Sequence, residues 1–219
     1  MGVAHFAAEN VLAVVCELER AFAIRLKPGL VEELHEPSDE TPPRWLSYGR
    51  PPSELSLHTD YPDWPSPPRF IVMRCISVGR LPVETIAVDM SPIGMTKQQA
   101  KIFMEEPWVI RNSGKPRPIR LLDIDRRTGR SCFRYAENVM RPRFPSHSHG
   151  VAALSQVIAR QVAWAHVLWP GEYIIIDNWR MLHARRAAAA RPLVWHPGKG
   201  RVLQRTVLMT EHAYDPTYN

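Results

Sequence analysis

Apolar side chains at Val11, Leu12, Val14, Val15, Leu18 and Phe22 recur near the helical period, which predicts an amphipathic helix over the first 26 residues, ending before Pro28-Gly29. A second short helical piece is expected over residues 30–34, and residues 37–52, rich in proline and acids, read as an irregular surface connection. The pattern then turns to strands at residues 54–59, 70–78 and 84–88, the second a nearly continuous apolar run as expected of a buried strand. Between the first two, Pro62-Asp63-Trp64-Pro65-Ser66-Pro67-Pro68 excludes regular structure.

Thr96 can cap a helix that ends at Glu106, before Pro107. Strands follow at residues 108–111, 119–125 and 131–135, the last two joined by the turn Asp125-Arg126-Arg127-Thr128-Gly129. A helix over residues 151–167 and strands at 172–177 and 201–211 complete the pattern, which contains no internal repeat. Many short strands, with helices at the front and in two insertions, predict a mainly β fold, a sandwich or barrel with helical decoration.

Composition narrows the class. The chain has 219 residues, enough for one core, so a single domain over 1–219 is expected. Its hydrophobic fraction of 45% and charged fraction of 23% are those of folded globular proteins. Glu9, Glu17, Glu19 and Arg20 interrupt the apolar N-terminus, which reads as a helix rather than a signal, and no run suits a membrane span. A cytoplasmic protein is the expectation. Cys16, Cys75 and Cys132 are odd in number and lack CxxC spacing, so reduced structural thiols are expected.

The net charge of +6 is unevenly distributed. Residues 1–110 hold 10 Lys/Arg against 15 Asp/Glu, a net of −5, whereas residues 111–143 hold 10 against 3, a net of +7. Such a block suits an anionic substrate or nucleic acid, although a solvated basic face is the commoner origin of a charge run.

Three local patterns carry chemistry. His58-Thr59-Asp60 ends a predicted strand, where residues two apart point to one side and can reach one ion. In Gly171-Glu-Tyr-Ile-Ile-Ile-Asp177-Asn178-Trp-Arg-Met-Leu-His183-Ala-Arg185 an apolar strand leads through a polar turn to a histidine. Two histidines and a carboxylate on one face of a metal leave positions open, as in non-haem iron(II) oxygenases, but zinc accepts the same donors. Arg201 and Arg205, four apart on the last strand, share a face, and guanidinium is shaped to grip a carboxylate through two parallel hydrogen bonds.

In this order the three patterns resemble the iron(II)- and 2-oxoglutarate-dependent oxygenase family that includes taurine dioxygenase, clavaminate synthase and γ-butyrobetaine hydroxylase. LHTDYPDWPSPPRFIVMRCI looks like the family's first ligand strand with its proline loop, GEYIIIDNWRMLHAR like its distal-histidine segment, and RVLQR like its arginine strand. The resemblance implies a double-stranded β-helix, or jelly roll, with an N-terminal helix and helical insertions. It makes His58, Asp60 and His183 the iron ligands and Arg201 the partner of the distal 2-oxoglutarate carboxylate. Thr85 falls where the family often has a threonine on that co-substrate, and Arg205 matches a second arginine near co-substrate and substrate. Ala184 stands where the family usually has glycine after the histidine.

The implied activity uses Fe(II), 2-oxoglutarate and O2 to hydroxylate or otherwise oxidise a C–H bond of a small amino-acid-like or carboxylated molecule, releasing succinate and CO2. Residues 91–145 are the expected lid, with Arg134, Arg141 and Arg143 available to a substrate anion. The chain is short for this family, so a partner subunit is expected to complete the pocket and a homo-oligomer is compatible with it. Two other classes stay open at this point: a jelly-roll binding or hydrolytic protein using zinc or no metal, and an oxygenase acting on nucleic acid. The second lacks aromatic interleaving in the basic block beyond Phe133, Tyr135 and Phe144, so nucleic acid is not the expected partner. His147-Ser148-His149 sits in a predicted loop without a carboxylate in the pattern, and His166 reads as a core or capping residue of a helix.

Overall fold

A computed structural model of the chain describes residues 2–7, 11–22, 25–35, 54–78, 83–111, 116–126, 128–187 and 201–210. The chain opens with β1 (Val3–Ala7), α1 (Val11–Phe22) and β2 (Leu26–His35), followed by β3 (Leu55–His58), β4 (Phe70–Val78) and β5 (Val83–Asp89). An insertion then contributes α2 (Lys97–Glu105), β6 (Trp108–Ile110), β7 (Arg117–Ile119), β8 (Leu122–Ile124), β9 (Ser131–Phe133), β10 (Met140–Pro142) and α3 (Ser148–Arg160). The last strands are β11 (Trp164–Val167), β12 (Glu172–Asp177), β13 (Met181–Ala187) and β14 (Arg201–Thr210).

Two antiparallel sheets organise these elements: a five-stranded one in the order β1-β12-β4-β14-β2 and a four-stranded one in the order β11-β5-β13-β3. Their facing sides meet in a cluster built from Ile71, Met73, Cys75, Ile174, Ile176, Leu203 and Val207 of the larger sheet and Ala87 and Met181 of the smaller. The opposite side of the larger sheet presents Phe70, Val72, Tyr173, Ile175 and Leu208 to Val14, Val15, Leu18 and Phe22 of α1. Both faces of β4 and β12 are therefore covered, which is why their sequences run apolar without alternation. The outer side of the smaller sheet, through Val88 and Leu182, is covered by α2, α3 and the insertion around Phe103, Trp108, Phe133 and Val157.

The mainly β reading with helices holds, and several expected elements are redrawn by tertiary pairing. The N-terminal helix is confined to α1 between two strands, and residues 30–34 are strand, because β2 gains the edge of β14 along its length. Pro28 is tolerated there because β2 is an edge strand. The helix expected over 151–167 ends at Arg160; residues 164–167 form β11 instead, closing the open edge of β5. The strand expected over 119–125 divides into β7 and β8 around Leu121, which is fully buried and accepts a hydrogen bond from the Arg134 amide. Strands β10 and β13 were not anticipated. The expected Thr96 cap of α2 is present and proves to be half of a capping box: Thr96 Oγ1 accepts from the Gln99 amide, and the Gln99 side chain accepts from the Thr96 amide. The turn after Asp125 closes the β8–β9 hairpin with Gly129 at φ 65°, a left-handed conformation suited to glycine. The expected surface connection at 37–52 lies outside the described residues.

Candidate metal centre

The smaller sheet brings the first two of the sequence motifs together. His58 ends β3 and pairs in register with His183 of β13, whose other neighbour is Ala87 of β5. Asp60 follows one residue beyond Thr59, and all three side chains are buried. Asp60 Oδ1 lies 3.5 Å from His58 Nε2 and 3.7 Å from His183 Nε2, and one ligand atom from each residue falls within 4.8 Å of the others. Among the described residues this is the one group of His, Cys, Asp and Glu side chains placed to hold a metal ion.

Local hydrogen bonds prepare the donors. His58 Nδ1 lies 2.7 Å from the Ser56 carbonyl, which can only accept, so Nδ1 carries a proton and Nε2 is the ring nitrogen presented to Asp60. Burial, with His58 nearby, lowers the His183 pKa against the pull of Asp60, and this favours the neutral ring that a metal requires. Burial alone would raise the Asp60 pKa; hydrogen bonds to His183 and His58 and the Arg205 charge outweigh it and hold the carboxyl well below its usual range. The donor set therefore fits a divalent cation: two imidazoles and one carboxylate, all buried.

The loop after Asp60 is locked in place. Asn178, in the turn between β12 and β13, accepts from the Asp60 amide at 2.7 Å and donates to the carbonyls of Asp60 and Pro68, each at 3.0 Å. Trp179 Nε1 donates to the Pro67 carbonyl, and Arg134 donates to the carbonyls of Trp64 and Pro65. The insertion reaches the same place, since the Thr59 amide donates to the Tyr135 carbonyl at 2.7 Å and Phe133 donates to the Trp179 carbonyl. Arg134 is thus engaged by this loop, and Arg141 by the carbonyls of Glu137 and Met140.

The remaining anticipated residues fall into two groups. Arg205 reaches the triad: its Nη1 donates to Asp60 Oδ2 at 2.8 Å, while Nε and Nη2 donate to Glu32 Oε2. Arg201 lies four residues earlier on β14, buried, where its positive charge acts on Cys75, although burial pushes that thiol up to about 11. Thr85, buried on β5, lies two residues before Ala87 and so shares the face that looks between the sheets. Glu32 and Tyr61 were not anticipated. Glu32 is the register partner of Arg205 across β2 and β14, a relation hidden while residues 30–34 read as helix. Of the other histidines, His149 lies 3.5 Å from Glu106, so a carboxylate does stand near that pair, and His166 sits on β11 beside Glu172 at 3.0 Å rather than in a helix.

Comparison with known families gives a match to residues 100–207, just under half of the chain. The matching family is taurine catabolism dioxygenase TauD, TfdA family. This TauD/TfdA match agrees with the resemblance read from the motifs and takes in His183, Arg201 and Arg205. His58, Asp60 and Thr85 precede it. No curated protein matches significantly. Solved structures share the fold. Asparagine oxygenase in complex with Fe(II), 2S,3S-3-hydroxyasparagine and succinate has a TM-score of 0.61 at 18% identity, covering 83% of this chain and 57% of that one. The non-heme iron oxygenase OrfP in complex with Fe and alpha-ketoglutaric acid has a TM-score of 0.58 at 19% identity, covering 83% and 56%. This chain therefore spans a little over half the length of the solved structures it matches.

Proposed function

We propose that the protein is an iron(II)- and 2-oxoglutarate-dependent oxygenase that hydroxylates a small amino-acid-like or carboxylated molecule. The observation that carries this reading is the buried His58–Asp60–His183 group, whose donor atoms lie within 4.8 Å of one another. The TauD/TfdA match and the fold shared with asparagine oxygenase and OrfP support it, as they do a double-stranded β-helix for the paired sheets. OrfP is also known in complex with Fe, succinate and (3S)-hydroxy-L-Arg, and the two neighbours together point to a free amino acid as the substrate class.

In this reading His58 Nε2, His183 Nε2 and Asp60 Oδ1 would hold the iron. The bound metal and co-substrate supply the oxidative chemistry, in which O2 and 2-oxoglutarate become succinate, CO2 and the oxygen inserted into a C–H bond. The chain supplies position. Arg201 and Thr85 would hold the distal carboxylate of 2-oxoglutarate, Arg205 stands by Asp60, and residues 91–145 would form the lid that keeps water out. The zinc and metal-free alternatives are decided by the same test.

Aerobic incubation with iron(II), 2-oxoglutarate and a panel of free amino acids is expected to yield succinate, stimulated by at least one substrate. His183→Ala is expected to abolish it. Succinate formation that survives His183→Ala in metal-free buffer would remove the proposed centre from the reaction.

A further inference from the structure

Three atoms of the Arg205 guanidinium are shared unequally between two carboxylates. Its Nε–Nη2 edge is taken by Glu32 Oε2, and its Nη1 end by Asp60 Oδ2 at 2.8 Å. The Tyr61 hydroxyl joins them, donating to Glu32 Oε2 at 3.2 Å and accepting from Arg205 Nη2 at 3.0 Å. Tyr61 holds φ at 51°, a costly left-handed conformation for a bulky residue, in the position directly after Asp60. Burial pushes its phenol up to about 12, so it is a neutral donor here. A single strand pair sets this arrangement, since Glu32 of β2 lies in register with Arg205 of β14.

We infer that Glu32 is a positioning residue for the metal centre, acting through Arg205 and Tyr61 to keep Asp60 Oδ1 turned toward His58 and His183. The inference rests on the reading of those three residues as metal ligands. A guanidinium facing a lone carboxylate takes both of its oxygens in a fork, the geometry that best satisfies both groups. Such a fork on Asp60 would draw Oδ1 away from the histidines and set Arg205 in competition with the cation. Glu32 occupies the forked edge, so Arg205 reaches Asp60 through one nitrogen and one oxygen. The two carboxylates also balance the Arg205 charge, which would otherwise repel a divalent ion. Partners one step removed from a metal change its affinity by roughly 10- to 100-fold in comparable sites.

Anaerobic titration with Co(II), read by its ligand-field absorption, measures the metal itself without turnover. Glu32→Gln is expected to weaken Co(II) binding about tenfold, and Glu32→Asp to recover part of that loss. Glu33→Gln, on the neighbouring residue that pairs with His35 instead, is expected to bind as wild type does. Tyr61→Phe removes one hydroxyl without a charge change and is expected to weaken binding by a smaller factor, which keeps the test intact if Glu32→Gln does not fold. A purely structural role would lower the melting temperature of metal-free protein and leave the Kd of the folded variant unchanged, and that result overturns the inference. His183-dependent Co(II) binding in wild type, with unaltered Kd in Glu32→Gln and Tyr61→Phe, overturns it while leaving the site intact. Absence of His183-dependent binding in wild type overturns both.

Discussion

Asp60 shows how little of a site a single side chain decides. Its backbone is fixed by Asn178, its Oδ2 by Arg205, and its Oδ1 faces two histidines contributed by different strands. Asp89 is a simpler case outside the site. It accepts from Arg180 Nε at 2.8 Å and from Arg180 Nη2, and also from the Ser91 amide at 2.8 Å, tying the end of β5 to the β12–β13 turn. Burial would raise the Asp89 pKa, but the Arg180 hydrogen bond and charge win and lower it. A carboxylate lowered by folding stabilises fully above its unfolded value of about 4 and loses that contribution as pH falls through the folded value. The pair is about one-third exposed, so its worth is screened to about 1 kcal/mol. Asp89→Asn is therefore expected to lower the melting temperature at pH 7, and the gap between variant and wild type to close as pH falls below the usual carboxylate range. A gap unchanged by acid would remove the ionised pair as its cause.

At the scale of elements, α2 offers a direct measure of local coding. Thr96→Ala deletes one half of a reciprocal capping box and is expected to destabilise by about 1 kcal/mol in chemical denaturation. Thr96→Ser, which keeps the accepting oxygen, is expected to cost less; equal losses would place the effect in the methyl group. This helix was legible because cap, apolar spacing and the following proline all lie within twelve positions. β4 and β12 were legible for the same local reason, as continuous apolar runs. Residues 26–35 and 164–167 were not, since their strand state comes from partners β14 and β5 that pattern alone does not supply. The site divides in the same way. HxD and the RVLQR spacing are short-range patterns and could be read directly, whereas Glu32 and Tyr61 matter through a register pairing that spans 173 positions.

Across the whole molecule, layers account for the pattern of burial: α1 on one sheet, a shared apolar interior, and the insertion packed on the other sheet. The proposed metal ligands sit where the insertion touches both segments that carry them, through Thr59 with Tyr135 and through Trp179 with Phe133. The basic block that suggested nucleic acid contributes to this assembly. Arg130 donates to the Phe22 carbonyl at the end of α1, Arg134 to the loop at Trp64, and Arg141 to neighbouring carbonyls. Such charges tie segments of the fold together, which gives the block a role inside the molecule without a polyanion. No helix among the described residues is long and apolar enough to cross a membrane.

One buried His-Asp-His group is proposed to bind iron(II) together with 2-oxoglutarate. Anaerobic addition of both to metal-free protein tests it most directly, through the weak visible metal-to-ligand charge-transfer band of their chelate. Wild type is expected to develop the band and His183→Ala to develop none. Folded wild-type protein that shows no band with free iron(II) demonstrably present would contradict the account and leave the centre to zinc or to a binding role.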